Sequence, residues 1–353
     1  SSTDTAAEIE KGRNAGWLLW TRFPYLDHSQ RNDVLSSTVT TGGGFLDNGD
    51  TAFGVFSRIN LFKAADGYGS FDRDVSITMD ASRASENPYW AVDAWSNNIG
   101  GVGGFTLNGT GIMRFTGAST YTGPTTVNGG AFVIDGSIVS NVTVNNGGLL
   151  GGHGSFGGGV INAGGVISPG NSPGTITSNG NLTLQNGSIY LAEVDGQRAD
   201  KIAVNGAATV NNASLVLNTS NPAYLAGRQF NLLTATNGLT GTFGSFTPAQ
   251  SFSFLNPYLS YNANGLSVGY ALTPFSVVGR TINQRNVGNA LTMGAYGPIS
   301  GPSANILNTL FYGSYQSAQS VMDTVGGAGL AGVQTTAMEV GQMVSSTVSD
   351  QIA

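Results

Sequence analysis

The chain has 353 residues, with 53 glycines, 14 basic and 20 acidic side chains, a formal net charge of -6 and a pI near 4.8. Charged residues make up only 10%, against roughly 25% in ordinary soluble domains, which disfavours helix-rich folds laced by surface ion pairs. A hydrophobic content of 40% is too high for a disordered chain, the lack of any Lys/Arg cluster argues against a nucleic-acid partner, and the absence of cysteine removes disulfides, thiolate nucleophiles and Cys-ligated metals.

No run reaches the ~18 apolar residues that a membrane helix needs. Ser1 opens the sequence with neither Met nor a charged, apolar leader, so a mature or excised piece of a longer protein is expected. Charge is unevenly spread: 21 of the charged residues precede Gly100, 8 lie between there and Val278, and 5 follow. Three zones result, 1–74, 75–273 and 274–353.

In the first zone, Thr5-Ala6-Ala7-Glu8 has capping-box spacing and opens a short helix carrying Ile9, Ala15, Trp17 and Trp20, which Pro24 stops. A second helix is predicted from about Ser29 towards Leu35. A third runs from Ser57 to Gly67, whose missing Cβ suits the left-handed residue after a helix. From Val75 to Tyr270 the pattern turns to short alternating runs such as Val75-Ser76-Ile77-Thr78, Asn141-Val142-Thr143-Val144 and Ser214-Leu215-Val216-Leu217. This period of two marks strands. Gly-Gly turns recur at Asn128-Gly129-Gly130, Asn146-Gly147-Gly148 and Ala163-Gly164-Gly165, a repeat near 18 to 20 residues that signals a solenoid. The expected architecture is mainly β, a right-handed parallel β-helix with a small helical N-terminal segment and a helical C-terminal connector. After Pro274, Val278 and Ile282, then Val287 and Leu291, are spaced i, i+4. Leu330, Val333, Ala337, Val340, Val344, Val348 and Ile352 form one apolar stripe with no evident partner.

The residues offer little chemistry. His28, in Leu26-Asp27-His28-Ser29, lies at a helix entrance where Asp and Ser are ordinary caps. His153, in Gly151-Gly152-His153-Gly154, lies in a turn between coils, and neither has HxxxH or HExxH spacing for zinc. Gly152 to Gly157 matches GxGxxG, but Val160-Ile161-Asn162 follows as a strand where phosphate cradling needs a helix. Asp66, Asp72 and Asp74 could offer oxygens to Ca²⁺, yet their spacing fits no EF-hand, Arg73 intrudes, and a polar turn is the better reading. Glu193, Asp195 and Asp200 do not by spacing define a glycosidase pair, and with Arg198 and Lys201 they read as an exposed loop. No residue is assigned to catalysis, a cofactor or a metal.

The run Gly109-Thr110-Gly111-Ile112-Met113-Arg114-Phe115-Thr116-Gly117-Ala118-Ser119-Thr120-Tyr121-Thr122-Gly123-Pro124-Thr125-Thr126-Val127-Asn128-Gly129-Gly130 resembles the autotransporter-associated β-strand repeat, as does Ile167 to Thr177. Pro124 stands where that pattern has Gly, and Arg114 where it has Thr. Asn283 to Leu291 and the stripe ending at Ile352 look like the helical segment that precedes the outer-membrane barrel in autotransporters (type V secretion). Thr21 to Leu26, Gly42 to Asp47 and Phe53 to Gly69 are similar to the junction between a PAP2-type acid phosphatase domain, of the vanadium-haloperoxidase superfamily, and its stalk. A subtilisin-type autotransporter has a comparable junction. The phosphatase motifs KxxxxxxRP, PSGH and SRxxxxxHxxxD are not present, so no catalytic residue carries over.

These resemblances imply the tail of an upstream catalytic domain (1–74), a β-solenoid passenger stalk (75–273) and a connector (274–353) to an outer-membrane β-barrel translocator in cis, at the bacterial cell surface. The stalk would support export, folding and display of an enzyme. Self-association as an adhesin or filament subunit is the alternative, since an uncapped solenoid end can template pairing.

Overall fold

A computed structural model describes residues 6–41, 57–170, 173–299 and 301–327. From Val75 onward, short strands wind into three sheets of eight strands each. The first sheet runs from Val75–Met79 to Leu239–Thr242, the second from Val92–Trp95 to Ser245–Pro248, and the third begins at Ala118–Ser119. Each circuit of the chain lays one strand on each sheet, so neighbours are one coil apart and parallel, as with Val75 on Phe105, Phe105 on Thr125 and Thr125 on Val142. The expected β-solenoid with small terminal helices is what forms.

The coils stack because their inward residues match. Along the first sheet Ile77, Leu107, Val127, Val144, Ile161, Leu184 and Val210 follow one another in register, none more than 1% exposed. Burying an aliphatic side chain of this size is worth about 1.5–3 kcal/mol, and the shared column makes each coil's burial depend on its neighbours. Aromatic rings fill the wider early coils: Trp95 to Phe115 at 5.3 Å, Phe105 to Phe115 at 5.0 Å and Phe115 to Phe132 at 4.9 Å between centroids.

The regular period is confined to the middle. Register advances by 17 residues from Thr125 to Val142 and again to Gly159, but by 30 from Val75 to Phe105 and 31 from Ala208 to Leu239. The outer coils carry extra residues in their corners, including the short 3-10 turns Ala81–Arg83, Pro88–Trp90 and Pro222–Tyr224. The expected period of 18 to 20 is therefore approached only in the middle coils, where it is 20 from Phe105 to Thr125 and then 17.

Elements outside the coil pattern flank both ends. At the start, the helix Ala6–Arg22 buries Ala15 and Leu19, and Phe23 just after it continues the i, i+4 spacing, while Trp17 and Trp20 face out. The next helix, His28–Ser37, carries the capping box of Asp27 with Gln30. The expected third helix is shorter than its pattern: Ser57–Arg58 pairs as a strand with Thr40–Thr41, and only Leu61–Ala65 is helical, capped by Asn60. Gly67 does take the left-handed conformation, φ +96°, and a Cβ there would strike Trp95. At the far end Gln229–Ala235 receives Gly265–Leu272 antiparallel, and Leu255–Asn262 returns along it. This hairpin ends the parallel stacking on the third sheet. The helices Ile282–Gly294, Gly301–Tyr312 and Tyr315–Val325 follow, and Phe275 joins Phe254 and Phe311 beneath them. The apolar stripe Leu330 to Ile352 and the segments Gly42 to Asp47 and Phe53 to Phe56 lie outside the described residues.

Candidate functional site

The sequence-derived candidates fall into separate local roles. His28 is the first residue of its helix, exposed, 3.3 Å through Nε2 from the Asn32 amide. Asp66 ends the short helix, and its carbonyl accepts the Ser96 N–H. Asp72 accepts from the Ser70 hydroxyl at 2.6 Å and Asp74 from the Gly104 N–H at 2.7 Å, while Arg73 reaches away to Asp33 and Ser29. The carboxylates of Asp72 and Asp74 and the main-chain carbonyl of Asp66 thus brace the first coil separately. Among the described residues no group of three or more His, Asp or Glu side chains is arranged to hold a metal ion. The GxGxxG run is followed by the strand Gly158–Ile161, not a helix.

Asp195 closes a turn, accepting from the backbone N–H of Arg198 at 2.8 Å and Gln197 at 3.1 Å. Burial opposes the charge, but these bonds and the Arg198 guanidinium together hold its carboxyl below the usual range. Asp200 is different. Only 3% exposed, it accepts from Gly174 N–H at 2.8 Å and Glu193 N–H at 3.0 Å, and burial, with the Glu193 charge adding, pushes it up to about 6. Both its oxygens are occupied by backbone, so it fastens a corner and presents no acid to a substrate.

Two clusters join residues far apart in sequence. Arg22, at the end of the first helix, meets Asp93 of the first coil at 2.6 Å. Tyr25 donates to the same carboxylate and accepts from Trp95 Nε1 at 3.1 Å, while the Arg22 guanidinium lies 4.2 Å from the Tyr89 ring centre. Burial pushes Asp93 up despite the opposing pull of Arg22, and pushes Tyr25 well up. The cluster is a lock between helical cap and solenoid. On the corner after the second sheet, Arg114 donates to Asp135, and His153 Nδ1 lies 2.9 Å from Asp135 Oδ1, an oxygen that accepts no hydrogen bond. Among the described residues no hydrogen bond joins either histidine to a serine hydroxyl, so the contact of His153 with Asp135 is not extended into a nucleophilic triad. Neither cluster was legible in the sequence, where Asp93 and Asp135 carry no local motif.

The extended surfaces are more distinctive than any pocket. The outer face of the first sheet carries two columns in register. One reads Ser76, Thr106, Thr126, Thr143, Val160, Thr183, Thr209 and Thr240. The second contains Asn108, Asn128, Asn145 and Asn162, each amide donating to the preceding one at 3.0, 2.7 and 2.7 Å, with Asn211 donating to Gln185 further on at 3.2 Å. Hydroxyls and amides satisfy one another and water there without charge, which is how a chain with 10% charged residues keeps a hydrated surface. The outer face of the second sheet instead carries Val92, Ile112, Ala131, Leu149, Val166 and Ile189 in register.

Residues 105–134 match the family described as passenger-associated-transport-repeat. The match begins at Phe105, where a coil opens on the first sheet, and ends at Ile134, the last residue of the next coil's strand on the second. It therefore spans one whole coil and the first two strands of the next. The chain is also 30% identical over 342 residues to an "Extracellular serine protease" of Serratia marcescens, an alignment that takes in 85% of this chain and 32% of that protein. The chain thus spans about a third of the length of that relative. The fold and the repeat together define a passenger-type repeat region of the autotransporter kind, and both comparisons support export to the cell surface or beyond.

Proposed function

We propose that the chain is the non-catalytic stalk of an autotransporter passenger, which supports export, folding and surface display of an enzyme carried elsewhere on its parent. In this reading 1–74 joins the stalk to the enzyme, 75–273 is the stalk, and 274–353 leads to a barrel translocator in cis. The observation that carries it is the repeat match over 105–134, in register with the coils. Each coil that docks gains apolar burial on the column below, so folding outside the membrane proceeds coil by coil and opposes return of the chain.

The enzyme is proposed to be a serine protease. The Serratia relative's name favours it, whereas the PAP2 acid phosphatase implied by the junction resemblance draws no support from that relative. Two experiments test the reading. Deleting residues 109–270 from the parent should abolish display of a stable enzyme; undiminished display and activity would refute a stalk. The purified chain should hydrolyse neither a casein substrate nor a phosphomonoester, and turnover lost on His153→Ala or His28→Ala would make the chain an enzyme in its own right.

A further inference from the structure

A middle coil passes from the second sheet to the third through two residues, Asp135 and Gly136. On the coil of Ile189–Val194 the same corner has six residues, 195–200, and on the next coil, after Ser214–Thr219, it has nine, 220–228. The two enlarged corners lie side by side, joined by a bond from the Asn221 amide to the Asp195 carbonyl at 3.2 Å. Between them is a cleft of about 430 Å³ lined by Asp195, Gln197, Arg198, Asn221 and Tyr224. That is at the small end of the ~300–1,000 Å³ range of ligand clefts, with room for one or two pyranose rings.

Both walls are held by the fold. Asp200 ties the base of the first corner to the Glu193 N–H, and a backbone bridge joins Val194 to Ala199. Asp195 closes the turn by accepting through Oδ1 from the N–H groups of Gln197 and Arg198. In the second corner Asn221 takes the left-handed conformation, φ +50° and ψ +52°, directly before Pro222, a combination that persists only where the surroundings over-determine it. The Asn308 side chain accepts from the Ala223 N–H at 3.1 Å, which moors the turn Pro222–Tyr224 to the helix Gly301–Tyr312. The walls also touch: a Cβ on Gly196 would lie 2.7 Å from the Asn221 carbonyl oxygen.

The polar groups that line the cleft are left over from this construction. Among the described residues no hydrogen bond engages the Gln197 amide, the Tyr224 hydroxyl or Asn221 Oδ1. Arg198, its side chain 72% exposed, makes one long contact of 3.3 Å with Asp195 Oδ2. Carboxylate, guanidinium and amide heads are planar forks that can span two neighbouring hydroxyls, and the Tyr224 ring adds an apolar wall. The opposite charges of Asp195 and Arg198 cancel, which disfavours a strongly charged ligand, and the five lining residues include no aliphatic one to receive a lipid. We infer that the cleft binds a neutral oligosaccharide, whose hydroxyls accept from Arg198, Gln197 and Tyr224 and donate to Asp195 and Asn221. The site belongs to the solenoid itself and does not depend on which enzyme the parent carries.

Titration calorimetry and saturation-transfer NMR of the 353-residue chain with maltotriose, cellotriose and N-acetylchitotriose test it, with circular dichroism melts to confirm folding. At least one of these trisaccharides should bind saturably with a Kd on the order of 1 mM or tighter. The double variant Gln197→Ala/Arg198→Ala should weaken that binding about tenfold or more with an unchanged melt, since neither side chain supports a coil. Tyr224→Phe, which removes only the hydroxyl, should also weaken it without altering the melt. Trigalacturonate, with a carboxylate on each ring, should bind less tightly than the best neutral sugar. A lack of saturable binding to all three neutral sugars overturns the proposal, as does an affinity that the double variant leaves unchanged or a preference for trigalacturonate.

Discussion

The first and second sheets share one core and one backbone path, yet their outer faces are opposites. One is a grid of threonine hydroxyls and self-bonded asparagine amides, the other a column of valine, isoleucine and leucine. Since both are built on the same inward columns, the outward residues are not what makes the chain fold. They set how polar each side is towards its surroundings.

Substitutions on the two faces and in the core between them should therefore separate in size. The largest effect belongs to the shared interior: Phe132→Ala, which empties a fully buried site between Phe105 and Phe115, should cost about 3–5 kcal/mol in urea denaturation. Asp93→Ala should cost a similar amount, about 3–5 kcal/mol, because it strands the Arg22 charge and the Tyr25 hydroxyl. A loss below 1 kcal/mol in either would mean that cap and coils do not form one cooperative unit.

Asp200 adds a pH signature where the second sheet meets the third. Its carboxyl is raised from an ordinary 3.8 to about 6 in the folded chain. Its contribution to stability is thus fully present below about pH 4, where both states are protonated, and is lost as pH rises through about 6. The change is on the order of 3 kcal/mol. Asp200→Asn should flatten stability across that window, at the expense of one of the two backbone bonds; an unchanged slope would contradict the assignment.

Effects confined to the faces should be smaller and unlike each other. Asn145→Ala removes the ladder bonds to Asn128 and Asn162 and should cost about 1–2 kcal/mol in thermal melts. Ile112→Thr on the opposite face should shift the monomer's stability by only about 0.5 kcal/mol. If Ile112→Thr proved the more damaging of the two, the aliphatic column would be acting as core.

Strand alternation and Gly-Gly turns made the solenoid legible, because the inward column recurs locally on every coil. Asn128-Gly129-Gly130 and Asn146-Gly147-Gly148 mark corners where chain passes close over chain: a Cβ on Gly129 or Gly148 would come within 2.5 Å of backbone oxygen one coil away. The irregular coils hid their period, since turns such as Ala81–Arg83 and Pro88–Trp90 insert residues without disturbing the inward register. Ser57–Arg58 read as helix because its partner Thr40–Thr41 lies well upstream. The lock of Arg22 with Asp93 spans 71 residues, and no local spacing announces it. The aliphatic column was invisible for a further reason: Ile112, Ala131, Leu149 and Val166 look like ordinary strand residues until register places them on one outer face.

The central claim is that stacking of whole coils on one another is what carries the stalk through export. In the parent protein, removing residues 125–141 deletes one complete 17-residue coil and brings Val142 into the place of Thr125, whereas Val127→Asp, Phe132→Asp and Ile134→Asp together keep every residue in place but put charge into that coil's fully buried column. Surface display, read by antibody on intact cells, should survive the deletion and collapse with the triple substitution. Equal display from both would contradict the account.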